Sequence, residues 1–336
     1  MIAALDSTPL TVSSGGVRRY TEELCRALRA EFPADEYHLL SDQTVPVRGL
    51  DKRWWTIGVQ RAMKRLHVDV LHGTDFSVPY LPLRPSVLSI HDLSPWLNPA
   101  WHSAADRVRR RTPWLVRLRI ATLILTDTEA MRRAVIDHFH LKPERVIAVH
   151  LAADKRFRPV PQNSPTPYFV CVGTLEPRKN VPALLEAWRI VKAKYAVDLV
   201  IAGRRREDGP VLTPEPGLRI LGEVADEDLP ALYSGAIASV YPTAYEGFGL
   251  PVLEAMQCGA PVITTRDPAV TEVSGGAAIH VEPSELVASM SAMLDHPEER
   301  SRRSELSLQR AAEFSWSRTA RLTREVYYEA IRRFHA

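Results

Sequence analysis

Glutamates and glycines stand close together in residues 241–259, which read YPTAYEGFGLPVLEAMQCG. The residues of this segment that could bind a ligand are Glu246, Gly247, Gly249, Pro251 and Glu254. Carboxylates accept hydrogen bonds from sugar and ribose hydroxyls, and glycines let a backbone approach a ligand closely. Proline suits the first turn of a helix, whose unpaired N–H groups attract phosphate. The segment predicts a site for a phosphorylated ligand rich in hydroxyls; a glycine turn with two solvated glutamates is the alternative.

Two cations follow the predicted strand Tyr168–Gly173, within the segment GTLEPRKN of residues 173–180. Arg178 and Lys179 would then lie near the carboxyl edge of a sheet, where their charges could neutralise a pyrophosphate. The alternative is a pair of surface charges at a helix start, where the helix dipole disfavours cations. Because two cations at a helix start are unfavourable without an anion beside them, their presence there favours a site that binds an anion.

Two further loops carry weaker signals. Gly15 and Gly16, in the segment SSGGVRR of residues 13–19, would form a narrow turn before the first helix and could hold an anion or an acceptor. His91 and Asp92 end an apolar strand and would point into a loop region. An ordinary turn explains most diglycines, and a capping aspartate beside an incidental histidine explains the second pair equally well.

Short β-branched runs alternate with longer amphipathic stretches, which is typical of βαβ units with parallel sheets. The predicted strands of the first half are Asp69–His72, Ser86–His91, Thr122–Asp127 and Val146–His150. Those of the second half are Tyr168–Gly173, Asp198–Gly203, Leu218–Val224, Ser239–Pro242, Pro261–Thr265 and Ala277–Val281. The clearest predicted helices are Val17–Arg29, Val181–Lys194 and Leu250–Cys258. Ligands of such sheets bind beyond the carboxyl ends of the strands, where the four loops lie.

A proline-rich segment separates the two series of strands. Residues 158–167 contain Pro159, Pro161, Pro165 and Pro167. Proline removes backbone donors and fixes φ, so the segment predicts a stiff linker. We therefore expect two doubly wound α/β domains, residues 1–160 and 161–316, that face one another across a cleft. A last amphipathic run, residues 317–336, needs a partner for its apolar face.

The composition excludes several classes of protein. With 336 residues, 45% of them apolar and 25% charged, the chain is not disordered, collagen-like or a coiled coil. Its three cysteines lack metal-ligand spacing and favour a reducing compartment. We see no signal peptide and no apolar run of about 20 residues, and expect a cytoplasmic protein. GxGxxG, GxxxxGK[ST] and GxSxG motifs do not occur, which counts against dinucleotide dehydrogenases, P-loop phosphotransferases and nucleophile-elbow hydrolases.

Positive charge is concentrated in the first half of the chain. Residues 1–165 hold 24 Lys and Arg against 17 Asp and Glu, and the remainder holds 19 against 23. Much of the excess lies in Arg107–Arg119, where six arginines surround Trp114. This segment could rest on an anionic membrane, at about 1 kcal/mol per basic residue. A solvated helix face is the alternative, because Pro113 interrupts the pattern and the arginines fall on no single side. We expect no nucleic-acid partner, since no binding motif accompanies the charge.

Cations for a diphosphate and carboxylates for hydroxyls match a nucleotide sugar. The segments YEGFGLPVLEAMQCGAPVI and VGTLEPRKN make the chain similar to glycosyltransferases of family 4, the retaining enzymes of GT-B fold. LGEVADEDLPALYSGA, FSWSRTA, SIHDLSPW and LTDTEAMRRAV extend the resemblance along the chain. It implies an acceptor-binding and then a donor-binding Rossmann-like domain around a central cleft, with the last helix crossing back onto the first domain.

The resemblance also implies roles for single residues. Glu246 would hold hydroxyls of the donor sugar, and Glu254 those of the ribose. Arg178 and Lys179 would bind the diphosphate, and His91 would approach the donor sugar. The other residues of the donor site would be Gly173, Val224, Gly247, Phe248, Gly249 and Leu250, while Gly15 and Gly16 would lie under the phosphates and the acceptor.

By the same analogy, the leaving phosphate takes the acceptor proton on the face it departs from, so the anomeric configuration is retained. No metal and no other cofactor is expected, because the cations replace a metal. The donor would be GDP-mannose, as in similar O-antigen and exopolysaccharide enzymes, and the acceptor a saccharide or a lipid-linked saccharide. A UDP-sugar donor, an epimerase or hydrolase of the same architecture, and a non-catalytic scaffold are the alternatives. The protein would work in the cytoplasm, with peripheral contact to the inner membrane surface as a further option.

Overall fold

A computed structural model describes residues 1–11, 15–102, 105–162 and 166–336 of the chain. The chain divides into two compact units. The first unit combines Met1–Leu151 with Ser315–Ala336, and the second unit is Ala152–Phe314.

The first unit is built on a parallel sheet with the strand order β2-β1-β3-β4-β5-β6. Its strands are β1 (Ile2–Asp6), β2 (Glu36–Leu40), β3 (Val70–Gly73), β4 (Ser86–Ser89), β5 (Leu123–Thr126) and β6 (Val146–Ala148). Strands β3, β4 and β5 are buried along their whole length. Burial of this kind is expected where helical crossovers cover a parallel sheet.

Six α-helices belong to the described residues of the first unit. Helices are numbered in chain order, and those of the first unit are α1 (Gly16–Glu31), α2 (Val59–Arg65), α3 (Ser94–Leu97), α4 (Asp106–Arg117), α5 (Glu129–Phe139) and α12 (Trp316–His335). The side chain of Thr128 caps α5 by accepting a hydrogen bond from the amide of Met131 at 3.0 Å. Ser315 caps α12 in the same way, through the amide of Arg318 at 3.2 Å. Such caps satisfy amides that have no partner inside the helix, and so they fix where the helix begins.

Helix α12 completes the buried interior of the first unit. Tyr327 is fully buried, and its hydroxyl lies 2.7 Å from His72 Nδ1. His72 Nε2 lies 2.8 Å from Ser89 Oγ, so the ring joins α12 to β3 and β4. Burial lowers the pKa of His72 to about 3. The ring is therefore a neutral hydrogen-bonding bridge at physiological pH.

The second unit has its own parallel sheet, with the order β12-β11-β10-β7-β8-β9. Its strands are β7 (Tyr168–Val172), β8 (Asp198–Ala202), β9 (Leu218–Gly222), β10 (Ala238–Tyr241), β11 (Val262–Thr265) and β12 (Ile279–Val281). The chain runs outward in one direction from β7 to β9 and in the other from β10 to β12. The order therefore reverses between β7 and β10, which is the topological switch point of a doubly wound sheet. Two such sheets confirm the predicted α/β class.

Helices of the second unit cover a core that contains the fully buried Trp188. They are α6 (Val181–Lys192), α7 (Leu229–Ser234), α8 (Leu250–Gln257), α9 (Pro268–Ser274), α10 (Leu286–Asp295) and α11 (Pro297–Ala311). Trp188 Nε1 donates to the carbonyl of Val197 at 3.2 Å, so the large ring is buried without an unpaired donor. Among the described residues, no helix of either unit is long and apolar enough to cross a membrane.

All the strands predicted in Sequence analysis are present, several of them a residue or two shorter at their ends. Strand β1 was not among them, and neither was β2. Strand β2 pairs with β1 at the edge of its sheet, and Glu36 at its start is exposed. An edge strand needs less apolar sequence than a central one, so its hydrophobic pattern is weak.

The junction between the units differs from the boundary predicted at residue 160. Gln257 Nε2 donates to the carbonyls of Asp154 and Phe157, at 2.8 and 2.7 Å. The amide of Val160 donates to Ser234 Oγ at 3.1 Å. These bonds attach residues 152–160 to α7 and α8, so the start of the proline-rich segment belongs to the second unit. Pro165, which was assigned to the linker, lies outside the described residues.

Helix α4 continues through Pro113, the residue that interrupts the sequence pattern of this segment. Proline has no N–H to donate to the carbonyl four residues earlier in a helix. That carbonyl belongs to Arg109 and accepts a hydrogen bond from Trp96 Nε1 at 3.2 Å. The indole replaces the missing donor, and the helix persists.

Gly203 offers a test of the close approach between the ends of β7 and β8. A Cβ atom there would lie 2.0 Å from the carbonyl oxygen of Gly173, and the φ of Gly203 is +146°. Because of clash and backbone strain, Gly203→Ala is expected to lower the free energy of unfolding by about 3 kcal/mol. Gly276→Ala is the control, since its Cβ would meet nothing within 4 Å. Urea unfolding measures both variants, and equal midpoints would contradict this packing.

Candidate active site

The loops that follow β7 and β10 meet at the switch point of the second sheet. They comprise residues 173–180 and 242–249. The amide of Ala244 donates to the carbonyl of Arg178 at 2.7 Å. Arg178 Nη1 donates in return to the carbonyl of Tyr245 at 2.8 Å. The two loops are therefore bonded to each other at the carboxyl edge of the sheet.

Each of these loops enters its helix through a residue with positive φ. Asn180 has φ 50° and follows the short turn Pro177–Lys179, directly before α6. Gly249 has φ 88° and directly precedes α8. Asparagine and glycine are the residues that best tolerate this backbone region. They let each chain turn sharply from the strand end into the helix.

Glu246 is the centre of a buried cluster of charges. Its Oε2 lies 2.9 Å from Arg178 Nη1. Its Oε1 accepts hydrogen bonds from Tyr241 Oη and Thr243 Oγ1, both at 2.9 Å. Lys179 Nζ donates to the same oxygen and also to the Tyr241 hydroxyl. Four donors thus surround the carboxylate, and two of them are cations.

These contacts set the ionisation of the cluster. Burial alone would raise the pKa of Glu246, but the charges of Arg178 and Lys179 hold it down at about 2. Burial and the charge of Arg178 lower the pKa of Lys179, which Glu246 partly offsets. Burial and the charge of Glu246 raise the pKa of Tyr241, so its hydroxyl keeps its proton. Glu246 is therefore an anion at neutral pH and is held in one orientation.

The cluster extends into a row of charges of alternating sign. Arg178 Nε lies 2.7 Å from Glu176 Oε1, and Glu176 Oε2 lies 2.5 Å from Arg206 Nη1. Arg206 pairs in turn with Asp208. Sequence analysis assigned no role to Glu176 or Arg206. The signal was available, because Glu176 stands inside GTLEPRKN and Arg206 follows β8, the neighbour of β7.

Asp267 holds the main chain at Glu246, and sequence analysis missed it too. The amide of Glu246 donates to Asp267 Oδ2 at 3.2 Å. Asp267 Oδ1 accepts from the amides of Ala269 and Val270, which caps α9. One aspartate therefore links the loop after β10 to the start of α9.

Glu254 lies in the second unit with different surroundings. It is 1% exposed on α8, and its Oε2 accepts from the Tyr233 hydroxyl at 3.4 Å. Phe248 is also buried, with its ring 6.1 Å from that of Phe314. The other predicted donor residues follow strand ends of the same sheet or start α8: Gly173, Val224, Gly247, Gly249 and Leu250. Their contacts with a donor stay predictions.

His91 belongs to the first unit and has two hydrogen-bond acceptors. Its Nδ1 lies 2.8 Å from Asp127 Oδ2, and its Nε2 lies 2.8 Å from the carbonyl oxygen of Thr74. Burial alone would lower the pKa of His91, but Asp127 and the Thr74 carbonyl raise it to about 9. The ring is an imidazolium at neutral pH, and both of its N–H groups are donated within the unit. Its predicted approach to a donor sugar stays a prediction.

The other predicted residues of the first unit lie at the starts of helices. Gly15, with φ 133°, directly precedes α1, and Gly16 is the first residue of that helix; both are exposed. Ser13, from the same segment, lies outside the described residues. Asp92 Oδ1 accepts from the amide and the hydroxyl of Ser94, at 3.0 and 2.6 Å. Asp92 therefore has the local turn role that was its alternative.

Comparison with known proteins places these features in a family. Residues 153–309 match the family described as glycosyl transferases group 1. The O-antigen chain mannosyltransferase B of Escherichia coli is 33% identical over 282 residues, covering 77% of this chain and 74% of that protein.

Solved structures share the fold at low sequence identity. Sucrose-phosphate synthase from Thermosynechococcus elongatus has a TM-score of 0.77 at 17% identity and covers 98% of both chains. HepE from Anabaena, solved with UDP-glucose, has a TM-score of 0.72 at 17% identity, covering 98% of this chain and 99% of that one. The two doubly wound sheets and the likeness to these structures give the chain the GT-B fold. The chain belongs to the group 1 glycosyl transferases, the GT-B type of glycosyltransferase family 4, and is a glycosyltransferase.

The pKa of Glu246 predicts a pH-dependent contribution to stability. Its folded value of about 2 lies below the unfolded value of about 4.3, so the ionised group stabilises the folded state above pH 5. This contribution is lost as the pH falls toward 2. At about 1.36 kcal/mol per pKa unit, Glu246→Gln should remove about 3 kcal/mol at pH 7 and progressively less below pH 4.5.

Urea unfolding of the wild type and Glu246→Gln between pH 3 and pH 7 measures this difference. Glu305→Gln is the control, because Glu305 is an exposed residue of α11. If the free energy of unfolding of Glu246→Gln differed from that of the wild type by the same amount at every pH, the ion-paired state of the carboxylate would be contradicted.

Proposed function

We propose that the protein is a retaining mannosyltransferase that moves mannose from GDP-mannose to a hydroxyl of a saccharide or lipid-linked saccharide, in the biosynthesis of a surface polysaccharide or glycolipid. The observation that carries the proposal is the pairing of Arg178 and Lys179 with Glu246 between β7 and β10. Ligands of doubly wound sheets bind at such a switch point. Cations there suit the diphosphate of a nucleotide sugar.

Mannose is favoured as the sugar by the Escherichia coli relative, which is named a mannosyltransferase and is 33% identical. A UDP-sugar is the second candidate donor, because the similar fold of HepE was solved with UDP-glucose. The base and the sugar are therefore separate questions for experiment.

Lys179 is the group we assign to the leaving diphosphate. Its ammonium has three N–H donors, and Glu246 and Tyr241 accept two of them. The third can reach a phosphate oxygen as negative charge develops there. Fixed charges aimed at developing charge make a large contribution to catalysis, since they need no reorganisation during the reaction. In this scheme Glu246 orients the ammonium.

Glu246 can also accept a hydrogen bond from a sugar hydroxyl. Oε1 has three donors, whereas Arg178 is the one donor to Oε2 within the described ranges. A carboxylate oxygen has two lone pairs, so Oε2 can accept one more hydrogen bond. A charge-assisted bond of this kind contributes about 1.5 to 3 kcal/mol.

Retention follows if the leaving phosphate itself accepts the proton. The bond from the anomeric carbon to the phosphate oxygen breaks, the acceptor oxygen bonds to that carbon on the same face, and its proton passes to the phosphate. The state of His91 supports this scheme. With both N–H groups donated and a pKa of about 9, its ring has no lone pair to act as a base at neutral pH.

A cytoplasmic location is part of the proposal. Cys25, Cys171 and Cys258 are free thiols, and all three are buried. Unpaired thiols are typical of a reducing compartment.

Thermal unfolding with a panel of nucleotide sugars tests the donor. GDP-mannose at 100 times its dissociation constant should stabilise the protein by about 2.7 kcal/mol, and more than GDP-glucose, UDP-glucose or UDP-N-acetylglucosamine at the same concentration. Glu254→Gln should reduce that stabilisation because it removes a charged acceptor for the ribose, while Glu305→Gln should keep it. A larger increase in melting temperature with a UDP-sugar would show that the base of the donor is uracil. The absence of any increase with every nucleotide sugar would contradict donor binding.

Lys179→Met tests the proposed catalysis. The variant removes the charge and keeps the length of the side chain, so mannose transfer is expected to fall about 100-fold or more, as for the loss of an oxyanion donor. Turnover of radiolabelled donor measures the rate. Lys194→Met, at an exposed position after α6, is the control and should keep the wild-type rate. Thermal unfolding checks that both variants fold.

The same assay tests the chemistry of the wild type. Treatment with EDTA should leave the rate unchanged, because the scheme uses protein cations in place of a metal. NMR of the product should show the α configuration of the donor at the new bond. A β product or loss of the rate in EDTA would refute the corresponding part of the scheme.

A further inference from the structure

The exposed face of α4 carries a regular pattern of arginines and one tryptophan. Arg107, Arg110, Trp114 and Arg117 are exposed and recur at spacings of three and four residues, so they share one face of the helix. The six arginines of residues 107–119 do not all lie on one side, as expected, because Arg109 and Arg111 are partly buried and bond within the unit. The exposed Arg107, Arg110 and Arg117 nevertheless share this face.

A cavity of about 620 Å³ opens on this face, and its lining residues are Asp106, Arg107, Arg110, Arg111 and Trp114. Asp106 is the only carboxylate among them. It pairs with Arg109 and lies 3.9 Å from Arg110. Within the described ranges, Arg107 and Arg111 have no carboxylate at ion-pair distance. The cavity therefore has an excess of positive charge.

Neutral hydroxyls hold the two arginines in place. Arg111 donates through Nη1 to the Tyr80 hydroxyl at 2.6 Å and through Nη2 to Ser77 Oγ at 2.5 Å. Arg107 Nη2 lies 3.5 Å from the same Tyr80 hydroxyl. The buried Nε of Arg111 has no hydrogen-bond partner in the part of the chain that the structure describes. These contacts orient the guanidinium groups, and the buried carboxylate of Asp75 offsets part of the charge of Arg111 from beyond ion-pair distance.

Apolar side chains are exposed beside the cations. Trp114 is 44% exposed, and Leu118, just after α4, is 60% exposed. Leu81 and Leu83 are 45% and 63% exposed. The ring of Tyr80 packs edge-on against Trp114 at 6.2 Å, which attaches residues 80–83 to the helix. Single exposed apolar residues are common, but a group of them beside excess cations indicates an interaction surface.

We propose that this surface, α4 with residues 80–83 and Leu118, binds the face of an anionic lipid bilayer, with a headgroup phosphate in the arginine cavity. The charge of the bilayer complements the unpaired arginines, and tryptophan prefers the interface between water and lipid. In this proposal the exposed Leu81, Leu83 and Leu118 enter the outer part of the bilayer. The surface would bring the transferase to lipid-linked or membrane-bound acceptors. It does not depend on which nucleotide sugar the second unit binds.

Sedimentation with vesicles tests the proposal on the full chain. At physiological salt, the wild type should bind vesicles of phosphatidylcholine with phosphatidylglycerol and leave vesicles of pure phosphatidylcholine unbound. Arg107→Glu with Arg110→Glu should lower the partition coefficient at least tenfold, since two favourable charges become repulsive. Trp114→Ala should lower the partition coefficient severalfold, while the salt dependence of vesicle binding should change little. Arg321→Glu with Arg332→Glu, two exposed arginines of α12, is the matched control and should bind as the wild type does.

Three results would overturn the proposal. The first is equal binding to neutral and anionic vesicles, and the second is full binding by the Arg107 and Arg110 double variant. The third is a wild type that binds inorganic phosphate or pyrophosphate in the cavity but does not bind vesicles. The stabilisation by GDP-mannose is measured on the same samples. A double variant that GDP-mannose still stabilises but that no longer binds vesicles supports the proposal, because the stabilisation shows that the variant is folded. A wild type that binds vesicles without responding to any nucleotide sugar would refute the donor assignment and leave the membrane surface intact.

Discussion

A carboxylate buried in a protein stays ionised only where cations or hydrogen-bond donors stabilise its charge, and this constraint governs the loops that follow β7 and β10. Glu246 is 7% exposed and keeps its charge because Arg178 and Lys179 contact it directly. The same contacts hold the two cations at the edge of the sheet, where they would otherwise repel each other. Glu176 and Arg206 extend the compensation outward, so the arrangement forms before a ligand arrives. A ligand that bound to a site organised in this way would cost little side-chain entropy.

Topology decides which residues can take part. Arg178 and Glu246 are distant in sequence, and they meet because β7 and β10 are neighbours at the point where the strand order reverses. The first unit uses its strand ends differently. There the loops after β3, β4 and β5 place Thr74, His91 and Asp127 together, and the result is a fixed imidazolium. Similar sheets thus present an ion-paired carboxylate in one unit and a buried cation in the other.

Much of the fold and the outline of the site could be predicted from the sequence. Buried parallel strands give clear apolar runs, and functional residues of such sheets follow strand ends, so Arg178, Lys179 and Glu246 could be named as candidates. The direct pairing among them could not, because it depends on side-chain rotamers and on how two loops meet. The sequence could not show that α4 continues through Pro113, for a similar reason. The donor that replaces its missing N–H is Trp96, whose position is set by tertiary structure. The junction at residue 151 depends likewise on hydrogen bonds from Gln257.

The hydrogen bond between Tyr327 and His72 has a consequence for biosynthesis. The first unit consists of two stretches of chain, and the second stretch supplies a buried helix. During translation, residues 152–314 can complete their own unit as soon as they leave the ribosome. Residues 1–151 must wait until α12 has been synthesised, and meanwhile His72 and the surface that α12 covers are open to solvent and to chaperones. The part made first is therefore the part that matures last.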